Sequence, residues 1–245
     1  MAIIITSEQT IPIDEPFKVC AGPGAGKTHW LINHIKNVVS NSHKLDIVKK
    51  VACITYTNVG TDTITSRLNI GNDVVEVCTI HSFLYANVVK PYVHLVAEDF
   101  ELKLDELVVI DDSNFKSEGT AKIVLNRIGR SWLDAKIYLK GLESANWRYE
   151  NHEYKHYKPN YPQVYYTKSG KRYVGNDWYM GFKRWLWSGG YMSFDDILYF
   201  SHILLSRYPN IYKLIKARYP YIFVDEFQDT IPVSYTHLRA HETSQ

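Results

Sequence analysis

Phe17-Lys-Val-Cys-Ala-Gly-Pro-Gly-Ala-Gly-Lys-Thr28 is a short apolar run that breaks into glycine and closes on a lysine and a threonine. Residues 17–21 predict a strand. Trp30, Leu31, Ile35 and Val38 recur at helical spacing and predict a helix from about residue 27 to 39. In that strand–loop–helix setting, glycines let backbone N–H groups wrap phosphate oxygens, and the helix N-terminus favours the negative charge. Ala21, Gly22, Pro23, Gly24, Ala25 and Gly26 would form the cradle, with Ala21 standing where the usual pattern has glycine. Lys27 would reach the β- and γ-phosphates of a nucleoside triphosphate such as ATP, and the Thr28 hydroxyl would hold Mg²⁺. The alternative is a glycine-rich turn that binds nothing.

Outward from this loop, apolar runs alternate with helical patterns. Strands are predicted at 51–56 and 74–79, and helices near 61–68 and 81–89, the latter stopped by Pro91. Continuous apolar strands alternating with helices imply an α/β fold with a parallel sheet covered on both faces. Residues 93–145 read as mixed and mainly helical, and helices follow at about 194–206 and 210–217. The last strand, 221–225, ends in the adjacent carboxylates Asp225 and Glu226. Beside the loop strand, Asp225 would sit where it can hold Mg²⁺, and Glu226 could polarise a water attacking the γ-phosphate. Gln228 could sense that phosphate. A lone Asp-Glu pair would otherwise read as a solvated acidic turn.

Composition bounds what this machinery can serve. The chain has 245 residues, 45% apolar and 22% charged, with a net charge of +2 that names no partner. No apolar run approaches the ~18 residues of a membrane span, so no membrane partner is expected. Cys20, Cys53 and Cys78 are far apart, which fits neither a zinc site nor a disulfide framework and suits a reducing cytoplasm. From 147 to 192 the composition shifts: fourteen aromatic residues are interleaved with eight basic and three acidic ones, a local charge of +5. Within it, 163–175 reads as a hairpin around Ser169-Gly170. Such a segment either contacts nucleic acid, with cations on phosphate and rings on bases, or packs its rings into a small core of its own.

Two further stretches extend the phosphate loop and the acidic strand. Ile54-Thr-Tyr-Thr-Asn58 and Thr79-Ile-His-Ser-Phe83 follow the second and third strands, and Val224-Asp-Glu-Phe-Gln-Asp-Thr230 carries a Gln-Asp-Thr sequence that generic phosphate-loop proteins lack. Together these motifs resemble the N-terminal part of UvrD/Rep-type superfamily 1 DNA helicases, in the right order over most of residues 5–230. The resemblance implies a RecA-like P-loop NTPase domain with an inserted, mostly helical subdomain. Residues 1–92 and 193–231 would form the ATP-binding domain, and 93–192 the insert. It also implies that Gln9 contacts adenine and that Tyr56, Asn58, His81 and Phe83 lie along single-stranded or partly duplex DNA, with Tyr56 stacking on a base. Ser193-Phe-Asp-Asp-Ile-Leu198 matches the family's segment ahead of the acidic strand.

The match has departures. Val59-Gly60-Thr61 replaces the family's Lys-Ala-Ala, so a basic contact is missing there. Residues 232–245 have no apolar period suited to the expected helix and read as non-native adapter sequence. The family's Gly-Asp-Pro-x-Gln motif and second RecA-like domain do not follow. Tyr85-Ala-Asn-Val-Val-Lys-Pro-Tyr92 also resembles the helicase subunit of Gabija-type antiphage systems, which works beside an OLD-type nuclease. The implied activity is ATP-driven movement along DNA, 3′–5′ by resemblance. The rival readings are an ATP- and DNA-binding regulator of a nuclease and a small-molecule kinase, against which the Gln-Asp-Thr signature argues.

Overall fold

The computed structural model describes residues 5–20, 22, 24–144, 147–150, 153–156 and 176–225. Along the chain run α1 (Lys27–Asn41), β1 (Val51–Thr55), α2 (Asn58–Leu68), β2 (Val75–Thr79), α3 (Ile80–Leu84), a π-helical turn (Tyr85–Val89) and α4 (Lys90–Tyr92). Then follow β3 (Val108–Ile110), α5 (Glu118–Arg127), α6 (Ala135–Ser144), β4 (Trp147–Glu150), β5 (Glu153–His156) and α7 (Asn176–Ser188). The described chain closes with β6 (Tyr191–Ser193), α8 (Phe194–Arg207), α9 (Asn210–Arg218) and β7 (Tyr221–Val224). It forms two compact units, one reaching to Phe83 and resuming at Tyr208, the other running from Leu84 to Arg207.

The first unit is an α/β domain on a parallel sheet ordered β2-β1-β7. β1 lies in the middle and all five of its residues are buried, which is why Val51-Ala-Cys-Ile-Thr55 shows no polar alternation. Val51, Val75 and Tyr221 stand side by side in register, as do Cys53, Val77 and Phe223. This face packs on Trp30, Leu31, Ile35 and Val38 of α1 and on Ile64 and Leu68 of α2. Each fully buried aliphatic side chain contributes roughly 1.5–3 kcal/mol. Ala52 and Ile54 on the opposite face have no exposure either, so both faces are covered. There Tyr219, just past α9, donates to Glu76 at 2.7 Å and packs on Phe83.

Two expectations about local structure need correction. Residues 17–20 form no strand. Phe17 packs against Trp30, His34 and Phe223, and Val19 packs on the core, but their backbone makes no ladder with the sheet. An apolar run reports side-chain burial and says nothing about where the N–H groups go. Nor does Pro91 stop a helix, since α4 continues to Tyr92. The chain widens into the π-turn, with Lys90 N–H bonded to Tyr85 C=O five residues back, immediately before the proline that cannot donate.

The second unit is mainly helical, with the parallel pair β3–β6 and the antiparallel hairpin β4–β5. α7 approaches α5 closely at Gly181, where a Cβ would come within 2.6 Å of Ile128. Of the fourteen aromatics between 147 and 192, Tyr149, Tyr154, Tyr179, Phe182 and Trp187 are buried against one another and their neighbours. The expected hairpin at 163–175 lies outside the described residues.

Lys183 is the centre of this core. It is one of the eight basic residues between 147 and 192, but it has no exposed surface and is not available to phosphate. Its ammonium donates to Asp112 at 2.8 Å, Ser193 Oγ at 2.7 Å and Asp196 at 3.3 Å. Burial opposes the charge, but Asp196, Tyr179 and Asp112 outweigh it and hold the lysine above its ordinary pKa. Asp196 also accepts the Ser193 N–H at 2.7 Å and the Tyr154 hydroxyl, which anchors the β4–β5 hairpin. The sequence showed Ser193-Phe-Asp-Asp as a motif; its lysine partner, ten to thirteen positions earlier, carried no signal.

Candidate functional site

The site is built at the start of α1. Gly24 and Gly26 adopt left-handed backbone, φ 74° and 79°, which favours glycine. Among the described residues, a Cβ built on Gly22 or Gly24 would meet nothing within 4 Å, so no side chain packs on the loop at these two positions. Gly26 caps α1 without a side-chain hydrogen bond, and the first turn holds no acidic residue. Those are the properties of a helix end suited to an anion. Lys27 and Thr28 are the first two residues of the helix. Ala21 and Pro23 lie outside the described residues.

The acidic strand meets this loop. Asp225 N–H bonds to Ile54 C=O at 2.9 Å, carrying the β7–β1 pairing one residue beyond the strand. This places Asp225 at the carboxyl edge of the sheet, with its Oδ2 3.4 Å from Thr28 Oγ1. Two oxygens on one octahedral Mg²⁺ lie about 3 Å apart, so a hydroxyl and a carboxylate at this separation fit such an ion. Glu226 and Gln228 lie outside the described residues.

Gln9 belongs to a turn seated on α1. Its N–H bonds to Thr6 C=O at 3.2 Å, and its side-chain oxygen accepts the Thr6 N–H at 2.8 Å. Three neighbours tie the turn down. Ser7 Cβ lies 3.4 Å from where a Gly26 Cβ would be, Glu8 meets His29 at 3.2 Å, and the Trp30 indole N–H donates to Gln9 C=O at 2.8 Å. Sequence reasoning missed Trp30, reading it only as a core position. Further back, Tyr221 hydroxyl donates to Asp14 at 3.0 Å and accepts from Ser42, pinning the same N-terminal segment to the end of α1.

The expected nucleic-acid residues divide. Tyr56, directly after β1, is 45% exposed, and Asn58 opens α2 on the surface. His81, after β2, is half-buried, and burial lowers its pKa. Tyr56, His81 and Asp225 thus follow the carboxyl ends of three adjacent parallel strands, where α/β sheets bind ligands. Phe83 does not belong with them: it has no exposed surface, and its ring centroid lies 5.3 Å from that of Tyr219. The Val59-Gly60-Thr61 departure has a local cause. Thr57 caps α2 by accepting Gly60 N–H, and Thr61 and Thr55 bond through their hydroxyls at 2.8 Å. Val59 is left 75% exposed where the family carries a cation.

A glycine loop on a helix N-terminus, a hydroxyl after its lysine and a carboxylate at the edge of an adjacent parallel strand define a P-loop NTPase domain. The UvrD/REP helicase N-terminal domain family matches residues 6–243, and the chain belongs to that family. The match runs on into the segment 232–245 that the sequence reading sets aside. The chain is 26% identical to the Gabija protein GajB of Bacillus cereus (strain HuB5-5), over 86% of this chain and 35% of that protein. It is 25% identical to the ATP-dependent DNA helicase PcrA of Bacillus subtilis (strain 168), over 94% of this chain and 30% of that protein. A probable DNA helicase II homolog of Rickettsia felis is 24% identical over 91% and 33%. The chain therefore spans about a third of the length of the relatives it matches. No helix among the described residues is long and apolar enough to cross a membrane.

Proposed function

We propose that these residues form the ATP-binding part of a DNA helicase that couples ATP hydrolysis to movement along single-stranded DNA. The observation that carries the reading is Thr28 facing Asp225 at 3.4 Å beside a glycine-lined helix N-terminus, in a chain of the UvrD/REP family. Ala21 to Gly26 and Lys27 hold the phosphates, and Gln9 meets the adenine. Thr28 and Asp225 hold Mg²⁺, which neutralises charge on the β- and γ-phosphate oxygens. Glu226 takes a proton from the attacking water, and Gln228 reports the γ-phosphate. Tyr56, Asn58 and His81 contact the DNA strand, and movement runs 3′–5′. The cytoplasm is the expected site of action. ATP turnover by a protein that carries this chain at the full length of its relatives, measured with and without single-stranded DNA, tests this reading. Turnover indifferent to DNA overturns it.

The similarity to the Gabija protein favours a second reading. In it the same site binds ATP and DNA to regulate an OLD-type nuclease partner without processive unwinding. Strand displacement on a partly duplex substrate separates the two.

A further inference from the structure

We propose that Trp30 is a positioning residue for the nucleotide base, setting the preference for adenine over guanine through Gln9. The proposal rests on the reading that the glycine loop binds a nucleoside triphosphate. Helix α1 presents Lys27 and Thr28 to phosphate and magnesium, and one turn later presents the indole N–H of Trp30 to the carbonyl of Gln9. A single rigid element therefore fixes the spacing between the phosphate end and the base end of the site.

The indole is itself held. Trp30 is 5% exposed, stacks on His34 with centroids 5.0 Å apart and planes 7° apart, and meets the edge of Phe17 at 5.3 Å. Of the ties on the Gln9 turn, the Glu8–His29 contact is exposed on both sides and contributes little. The Ser7 contact with Gly26 is van der Waals only. The Trp30 hydrogen bond is short, partly shielded and made by a locked donor.

The turn also fixes which way the Gln9 amide faces. A backbone N–H needs an oxygen, so the Thr6 N–H assigns Oε1 to its own side and leaves the NH₂ group as a donor. Adenine offers an acceptor at N7 beside a donor at N6, which one amide matches with its NH₂ and the second lone pair of Oε1. Guanine offers two acceptors on that edge, N7 and O6, and O6 would face Oε1. An amide free to rotate discriminates less; an amide held by a turn that is itself held by Trp30 discriminates more.

The test is the affinity of the 245-residue chain, and of its Trp30→Phe, Gln9→Ala and doubly substituted forms, for ATP, GTP and inorganic triphosphate, each with Mg²⁺. Phenylalanine keeps a ring against His34 and Phe17 and removes the donor. The expected result for Trp30→Phe is an ATP:GTP preference reduced about tenfold, the scale of one lost hydrogen bond, with triphosphate affinity unchanged. Gln9→Ala should lower the preference similarly, and the double form should lose no more than either single one. Equal weakening toward ATP, GTP and triphosphate would overturn the proposal by making Trp30 a support of the helix alone. A preference unchanged by Trp30→Phe but lost in Gln9→Ala would overturn it while leaving the site assignment intact. Absence of ATP and triphosphate binding in the unsubstituted chain would instead reject the underlying reading. If Trp30→Phe does not fold, benzothienylalanine at position 30, with sulfur in place of the indole N–H, supplies the same comparison at constant shape.

Discussion

Thr28 Oγ1 and Asp225 Oδ2 stand 3.4 Å apart, although 197 positions separate them in the chain. The parallel pairing of β7 with β1 brings Asp225 to the edge of the sheet, and α1 brings Thr28 there from the glycine loop. Asp225→Asn keeps the shape and removes the charge that would face a cation. ATP affinity should then lose most of its dependence on Mg²⁺, read as the ratio of dissociation constants with Mg²⁺ and with EDTA. A ratio equal to that of the unsubstituted chain would reject Asp225 as a magnesium residue.

Lys27 and Glu226 should separate binding from chemistry. Lys27→Ala removes the positive charge facing the phosphates and should abolish ATP binding. Glu226→Gln should bind ATP normally and, in a protein of the relatives' full length, stop its hydrolysis. Equal loss of affinity in both variants would show that the two roles are misassigned.

Tyr56 and Phe83 should behave oppositely. Tyr56→Ala removes a half-exposed ring and should weaken single-stranded DNA binding by about 1–3 kcal/mol with the fold intact. Phe83→Ala opens a cavity against Tyr219 and should destabilise the domain by about 3–5 kcal/mol, seen as a lower melting temperature. DNA affinity lost by Phe83→Ala without any change in melting would restore Phe83 to the DNA track.

Lys183→Met should destabilise the second unit by about 3–5 kcal/mol, because it strands the buried carboxylate of Asp196 and leaves Asp112 with Lys116 alone. Chemical denaturation followed through the buried tryptophan Trp187 measures this. An unchanged midpoint would mean that water reaches the Asp196 carboxylate.

His34 predicts an acid weakness. The ring is buried among Trp30, Phe17 and Phe223, and neither nitrogen has a hydrogen-bond partner among the described residues. Burial lowers its pKa, so the unfolded chain binds the proton more readily than the folded one. Stability contributed by the neutral ring is complete above the unfolded pKa, about 6.5, and is lost as pH falls below it toward the folded value. His34→Phe should raise stability by about 1–2 kcal/mol and flatten its dependence on pH below about 6.5. Parallel pH profiles for the two forms would exclude His34 as the source.

Much of the first unit is legible in the sequence alone. The glycine loop and the helical spacing of Trp30, Leu31, Ile35 and Val38 after it are local patterns, and the buried run of β1 announces a strand covered on both faces. Gly24, Gly26, Lys27 and Thr28 are neighbours in sequence, so their arrangement follows from a few backbone angles. Exposure and partnership are different quantities, since they depend on what arrives from elsewhere in the chain. The motif Thr79-Ile-His-Ser-Phe83 marks Phe83 as a DNA contact, but Tyr219, more than a hundred residues later, buries it. Lys183 reads as a surface cation until Asp112 and Asp196 close around it from two other elements. Trp30 shows only the period of its helix, and the Gln9 carbonyl that its indole meets is presented by a turn with no period at all. The sequence determined β1, β2 and β7, the helices α1 and α2, and the glycine loop that opens α1. Only the tertiary structure decided which polar groups face one another, because a hydrogen bond between distant residues is set by packing and leaves no mark on local spacing.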